Sequence, residues 1–268
     1  MILRSLSERE IVAADQVAPR AAWEVFDESQ KHVRPPYAIV FQSEHSGVAG
    51  QIATVLHEEV FGALKPEVIQ AIAEHDFGWN ESDKQQLELL GTRDPRPFPA
   101  LSAEDTLPSW YGSLAHARSV SPLMEVLVSR HFSLLGAGDA ARAEFVRRET
   151  ERRRGVEPNL GSGVTELDRW TDAVGFCDLV SLYLCSGRQD TVEIPLAHPS
   201  RPGAAGAPKV TLSWREGALY FAPGVLGRDV VLSAQSFEYT GRGTDVKPLR
   251  LEWTVERSSV SVSDDIVL

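Results

Sequence analysis

The chain is short of sulfur, of positive charge and of long apolar stretches. It holds only two cysteines and two methionines in 268 residues. Cys177 and Cys185 fall in one predicted helix, where eight residues at about 1.5 Å rise put them about 12 Å apart, too far to bridge. Reduced thiols are the expectation, and they suit a cytoplasmic location. Lys and Arg number 27 against 38 Asp and Glu, for a formal charge of −11. Nucleic-acid binding needs clustered cations, so no nucleic-acid partner is expected. Arg147, Arg148, Arg152, Arg153 and Arg154 form the one basic run. Glu144, Glu149 and Glu151 are interleaved with it at helical spacing, which reads as a salt-bridged, solvated face. No apolar run approaches the length of a membrane span, and residues 1–10 lack a secretory apolar core. No membrane partner is expected.

What is present is a length sufficient for a sizeable core and a change of character along it. Residues 1–36 are weakly patterned, with a short strand at 1–3 and some helix near 21–27. Residues 37–41 read as a strand. Apolar residues at helical spacing predict helices over about 46–60, 65–76, 121–135 and 140–154, and a long one from Thr165 to about Cys185. Thr165 and Asp168 have the spacing of a capping box. Residues 80–120 are polar, then rich in proline and aromatics, which reads as a lid or a partly helical connection. After Gly187, short β-rich runs at 192–196, 209–214, 218–222, 230–234 and 249–255 alternate with turn residues. The division is an N-terminal segment (1–36), a helical metal-binding core (37–187) and a β-rich C-terminal extension (188–268), an α+β protein.

Polar residues on the apolar stripes of these helices carry the chemistry. His45 precedes Val48 and Ala49. His75 and Asp76 follow Ala71, Ile72 and Ala73. His131 lies between Leu127 and Leu134, and Asp178 between Val174 and Leu182. Buried imidazoles and carboxylates are costly unless paired, hydrogen-bonded or bound to metal. Each alone reads as a structural hydrogen bond or ion pair. Four helices turning such residues inward point to a shared site. Imidazole and carboxylate suit divalent Mn, Fe, Zn, Co or Ni. The expected metal ligands are His45, His75, Asp76 and Asp178, with Asp76 and His131 in the catalytic role. Glu44 and Glu74 flank ligand positions and read as outer carboxylates or plain surface residues.

The ordered series His45, His75-Asp76, Asp178 on successive helices resembles the HD-domain superfamily of metal-dependent phosphohydrolases. Gln42-x-x-His45, His75-Asp76-x-Gly78-Trp79 and Ser129-Arg130-His131 more closely resemble an uncharacterised HD-like bacterial family. The resemblance covers about residues 37–187. It implies an HD-like helical core and hydrolysis of a phosphate ester of a small molecule or nucleotide, using metal-activated water. Two departures stand out. Binuclear members carry further histidines between the His-Asp pair and the last Asp. Here His131 and, in the 80–120 segment, His116 are the ones on offer. The lysine that often follows the His-Asp pair is replaced by Gly78-Trp79. Trp79, Arg93, Arg96 and Trp110 are candidate substrate contacts. Two further readings stay open: an HD-like di-iron oxygenase, and a non-catalytic metal- or ligand-binding module.

Overall fold

Tyr37-Ala-Ile-Val40 is buried on every residue, so this short strand (β3) must be covered on both faces. In the computed structural model, which describes residues 1–6, 18–31 and 33–257, it lies within a mixed sheet of eight strands. Residues 7–17 and 32 of the N-terminal segment and 258–268 of the β-rich extension lie outside the described residues. The order is β1(Ile2–Ser5), β3, β7(Val230–Tyr239), β8(Val246–Glu256), β6(Ala218–Ala222), β5(Lys209–Arg215), β4(Val192–Pro195), β2(Arg20–Ala21). Neighbours are antiparallel except β8–β6 and β4–β2. The C-terminal part supplies five of these strands, and three come from the first forty residues. The fold is α+β, as expected.

Alternation along β8 sends Leu251, Trp253 and Val255 inward, and β7 does the same with Leu232, Ala234 and Ser236. That is the pattern of a sheet with one face packed and one solvated. Most helices lie on the packed face, and one, carrying Leu87, packs against the other face at β1 and β3. The helices are α1(Ala22–Lys31), α2(Gln42–Ala53), α3(Glu58–Phe61), α4(Pro66–Glu74), α5(Asn80–Glu88), α6(Ala103–Val120), α7(Pro122–Leu135), α8(Ala143–Val156) and α9(Val164–Ser186). The central α9 packs against α1, α2, α7, β1 and β4, while α4 lies between α2 and α7. A smaller cluster of Met1, Leu3, Tyr37, Ile39, Leu90 and Tyr239 forms a second apolar core. Among the described residues no helix is long and apolar enough to cross a membrane.

One local alternative is decided and two local expectations change. Residues 80–120 are mainly helical, forming α5 and α6 with a 3₁₀ turn at Phe98–Ala100. Ser102 and Asp105 make a full capping box that starts α6 and lets it continue through Pro108. The Thr165–Asp168 box does not form. Helix α9 begins one residue earlier with Gly163 as its cap and no side-chain bond. Asp168 is drawn away by Arg130, whose Nη1 donates to it at 2.6 Å. The helix expected over 46–60 starts at Gln42 and stops at Ala53, and α3 follows as a separate turn.

Glycine decides how closely the site-bearing elements approach. A Cβ at Gly50 of α2 would lie 2.4 Å from the Ala73 Cβ of α4. A Cβ at Gly78, in the turn after α4, would lie 2.1 Å from the Ser109 carbonyl oxygen and 2.3 Å from the Ser113 nitrogen of α6. Gly112 lies on the other side of that second contact, so the two backbones meet directly.

Candidate metal centre

Each candidate side chain is placed by a helix start or a helix face. The Phe41 cap ends β3 and opens α2, and Asp83 Oδ2 accepts the Gln42 N–H at 2.7 Å. His45 therefore sits in the first turn of α2. Helix α4 delivers His75 at its C-cap, with Asp76 just beyond. Helix α7 carries His131, and the middle of α9 carries Asp178.

The five side chains meet. All are buried, from 0% exposure at His45 to 7% at Asp178. Asp178 is the hub: its Oδ1 lies 3.1 Å from His45 Nε2 and 3.3 Å from His75 Nε2, and its Oδ2 lies 3.5 Å from His131 Nε2. Asp76 Oδ2 lies 3.6 Å from His45 Nε2 and 4.0 Å from His75 Nε2. The His75 ring is edge-on to both other imidazoles, with centroids 5.4 Å and 5.1 Å away. His75 Nδ1–H donates to the Ile72 carbonyl at 2.8 Å, which turns Nε2 toward the carboxylates.

Two overlapping groups can each hold an ion: His45, His75 and Asp76, and His75, His131 and Asp178. Within each group the ligand atoms lie within 4.8 Å of one another. Ligands bound about 2.1 Å from one ion stand about 3.0–3.4 Å apart, so the shortest contacts here have ligand spacing. Orphaned atoms agree. Of the eight buried side-chain polar atoms without a hydrogen-bond partner among the described residues, seven belong to residues lining one cavity. They are Gln42 Oε1, His45 Nδ1, His75 Nε2, Trp79 Nε1, both His131 nitrogens and Arg142 Nε. Native proteins rarely leave such groups unpaired, and their concentration marks a binding site.

That cavity, of about 1130 Å³, has the five-residue cluster in its wall and is mostly apolar elsewhere. Trp79 and Trp110 line it, Trp110 stacking on Phe132 with centroids 4.9 Å apart. Arg93 and Arg96 do not line it. They border a separate groove of about 510 Å³ beside Gln85 and Asp105. Arg96 Nη2 donates to Asp105 Oδ2 at 3.0 Å and to the Ala100 carbonyl at 3.1 Å, which ties it to the α6 cap. Arg96 therefore belongs to the segment's own folding. His116 is likewise committed elsewhere, to Glu74 at 2.6 Å and to a stack on Phe77. Glu44 accepts the Gln235 N–H at 2.9 Å and braces β7. Neither glutamate touches the cluster.

A family model described as a protein of unknown function, DUF3891, matches residues 31–240. The chain belongs to the DUF3891 family. That span includes α2, α4, α7 and α9, so every member of the cluster lies inside the DUF3891 region. No curated protein and no solved structure matches the chain. The DUF3891 span also contains two cavity residues that sequence reasoning passed over. Arg142 Nη2 donates to Thr106 Oγ1 at 3.1 Å, and its guanidinium lies 5.2 Å from the Trp110 ring centre. His198 lines the cavity from the connection after β4. The only sequence signal for either was residue type, since each sits outside an apolar helical stripe.

The charge states follow from burial and neighbours. Burial opposes a charged His75, but Asp76 and Asp178 outweigh it and hold its pKa up at about 9. Burial pushes His131 down to about 3. Burial also opposes the Asp178 carboxylate, yet the hydrogen bond from His45 and the close His75 and His131 imidazoles hold it well below its usual range. Burial raises Asp76. A sign follows for the ion-free protein. His75 has a folded pKa above its unfolded value, so its stabilisation is complete below about pH 6.5 and is lost as pH rises toward 9. His131 acts oppositely and only below about pH 6.5. Chelated protein should therefore melt lower at pH 9 than at pH 7. His75→Gln should flatten that slope, and an unchanged slope in the variant would assign the effect to another group.

Proposed function

We propose that the protein is an HD-like, metal-dependent hydrolase that cleaves a phosphate ester of a small molecule or nucleotide. The observation that carries this reading is the convergence of three imidazoles and two carboxylates from four helices on the wall of one large cavity. His45, His75, Asp76 and Asp178 would hold a divalent cation. Such a cation supplies Lewis acidity, lowering the pKa of water and stabilising charge on phosphoryl oxygens. The Asp76 carboxylate, in the cavity wall beside that water, would take its proton. His131 stays neutral and offers either a hydrogen bond to the phosphoryl group or a lone pair to a second ion. The aromatic walls exclude water and accept an organic group that carries the phosphate.

The test is metal analysis of protein purified without chelator, followed by hydrolysis of a generic phosphoester with Mn, Zn and Fe. Asp76→Ala should abolish turnover while melting close to the parent, because Ile72, Leu127 and Leu182 stay buried around it. His131→Ala should reduce turnover more than metal content. A variant that unfolds outright, from a parent inactive with every metal, would support a structural ion instead. The sharing of His75 between two ligand groups favours one second reading, a di-iron oxygenase. Iron-dependent oxygen uptake without phosphoester turnover would decide for it.

A further inference from the structure

We propose that His198 is a substrate-binding residue, a neutral imidazole whose Nε2–H donates a hydrogen bond to an oxygen of the phosphate group held at the His/Asp cluster. The proposal rests on the phosphate-ester reading above for the identity of that group. What assigns the role is a contrast between two histidines of one cavity.

In a neutral imidazole one nitrogen carries the proton and the other a lone pair, and the partner of the first fixes the second. His75 Nδ1 faces the Ile72 carbonyl at 2.8 Å. A carbonyl only accepts, so Nδ1 keeps its proton, and Nε2 presents a lone pair once the ring gives up its second proton, as a metal ligand must. His198 is wired the other way. The backbone N–H of Ser200 reaches its Nδ1 at 3.2 Å. An amide N–H only donates, so Nδ1 is bare and the proton sits on Nε2. An Nε2–H cannot ligate a metal. A neutral imidazole is also no general acid, since giving up that proton would leave an imidazolate. The remaining role is a fixed hydrogen-bond donor, one that neutral imidazole fills well beside developing negative charge.

Position agrees with wiring. His198 lies on α9 at Gly175, where a Cβ would be 3.6 Å from the ring Cδ2, the carbon bonded to Nε2. Gly175 precedes Asp178 by three residues, about 4.5 Å along the helix axis. Gly175, Asp178 and His198 line the same cavity. The backbone is held as well. Buried Asp172 of α9 accepts the His198 N–H at 3.0 Å, and Arg201 Nη2 pairs with the same carboxylate at 3.0 Å. Burial lowers the His198 pKa, against the pull of Asp178, which keeps the ring neutral.

The test uses full-length protein loaded with zinc, with inorganic phosphate as the probe. Nitrogen-15 spectra of the histidine rings should show His198 protonated at Nε2 and unchanged on adding zinc. Zinc titration should perturb His75. His198→Ala should keep the zinc content of the parent and bind phosphate about tenfold more weakly, the loss of one hydrogen bond to a charged group. His198→Gln, which restores an N–H near Nε2, should recover most of that affinity. A lone pair at Nε2, a zinc-induced shift at His198, or equal phosphate affinity in the parent and both variants each overturns the proposal alone. A parent that binds zinc but no phosphate overturns the phosphate-ester reading, and this donor role with it.

Discussion

Asp178→Ala should remove bound metal almost completely and lower the melting temperature of the ion-free protein by about 10 °C. Its carboxylate is the one group that approaches all three imidazoles, at 3.1, 3.3 and 3.5 Å. Deleting it leaves His75 buried at 1% exposure and facing two other rings, with only Asp76 to balance its charge. Breaking a buried pair by removing one partner costs about 3–5 kcal/mol. For a domain of this size each kcal/mol is about 2–4 °C in melting temperature. Asp178→Asn keeps the shape and one acceptor, so it should melt between the alanine variant and the parent, and still lose metal. Metal content by mass spectrometry and calorimetric melts of chelated protein separate the two effects. Full metal occupancy in Asp178→Ala would place the ion away from this cluster.

Gly78→Ala should be nearly as damaging, although residue 78 touches no candidate ligand. The new methyl would fall on the backbone of α6 at Ser109 and Ser113, which cannot rotate out of the way as a side chain can. Overpacking typically costs about 1–3 kcal/mol, and a clash with helical backbone belongs at the upper end. Relief requires the turn to move, and Asp76 lies two residues before Gly78. A displacement of about 1 Å at a reacting group can cost about a hundredfold in turnover. Gly47→Ala is the matched control. It lies on α2 two residues after His45, has nothing within 4 Å of an added Cβ, and sits where alanine favours a helix. That variant should match or exceed the parent in stability and bind metal normally. Equal behaviour of the two variants would show that the approach to α6 does not set the position of Asp76.

This contact also gives a physical reason for the Gly78-Trp79 departure from the HD-like pattern. A lysine there has no room in this fold: Gly78 is pressed to α6, and Trp79 is buried at 2% exposure in the cavity wall. The dipeptide was legible as a departure, but its cause lies on a helix thirty residues away. Periodicity located His45, His75, Asp76, His131 and Asp178 because each shares a stripe with apolar neighbours, and burial enforces such stripes. It could not locate His198 or Arg142, which reach the cavity from a connection and a helix start without any repeat. The helical alternative for the 80–120 segment was hard to see for a related reason. Pro108 and the Arg93–Pro99 run look like loop, while the signal for α6 was the short pair Ser102 and Asp105. Arg93 and Arg96 read as candidate substrate contacts because loop cations have no periodic context to place them. The outward groove they border became evident only once α5 and α6 were folded.

The eight-stranded sheet sets a further condition on when the cavity can exist. β3 pairs with β7 across about two hundred residues, and the parallel β6–β8 contact closes only after residue 246. The candidate ligands all precede residue 180, so a nascent chain emits them long before the C-terminal strands that flank their helices. Pairings of such long separation form slowly, because loop closure comes before any contact rewards it. During synthesis the histidines and aspartates therefore pass through an interval with their helices made and one wall missing. His198 and the β4–β5 side of the cavity arrive last. An ion captured in that interval would meet a solvent-open cluster rather than a lined cavity, and the wall from Glu193 to Lys209 would close over whichever metal was already there.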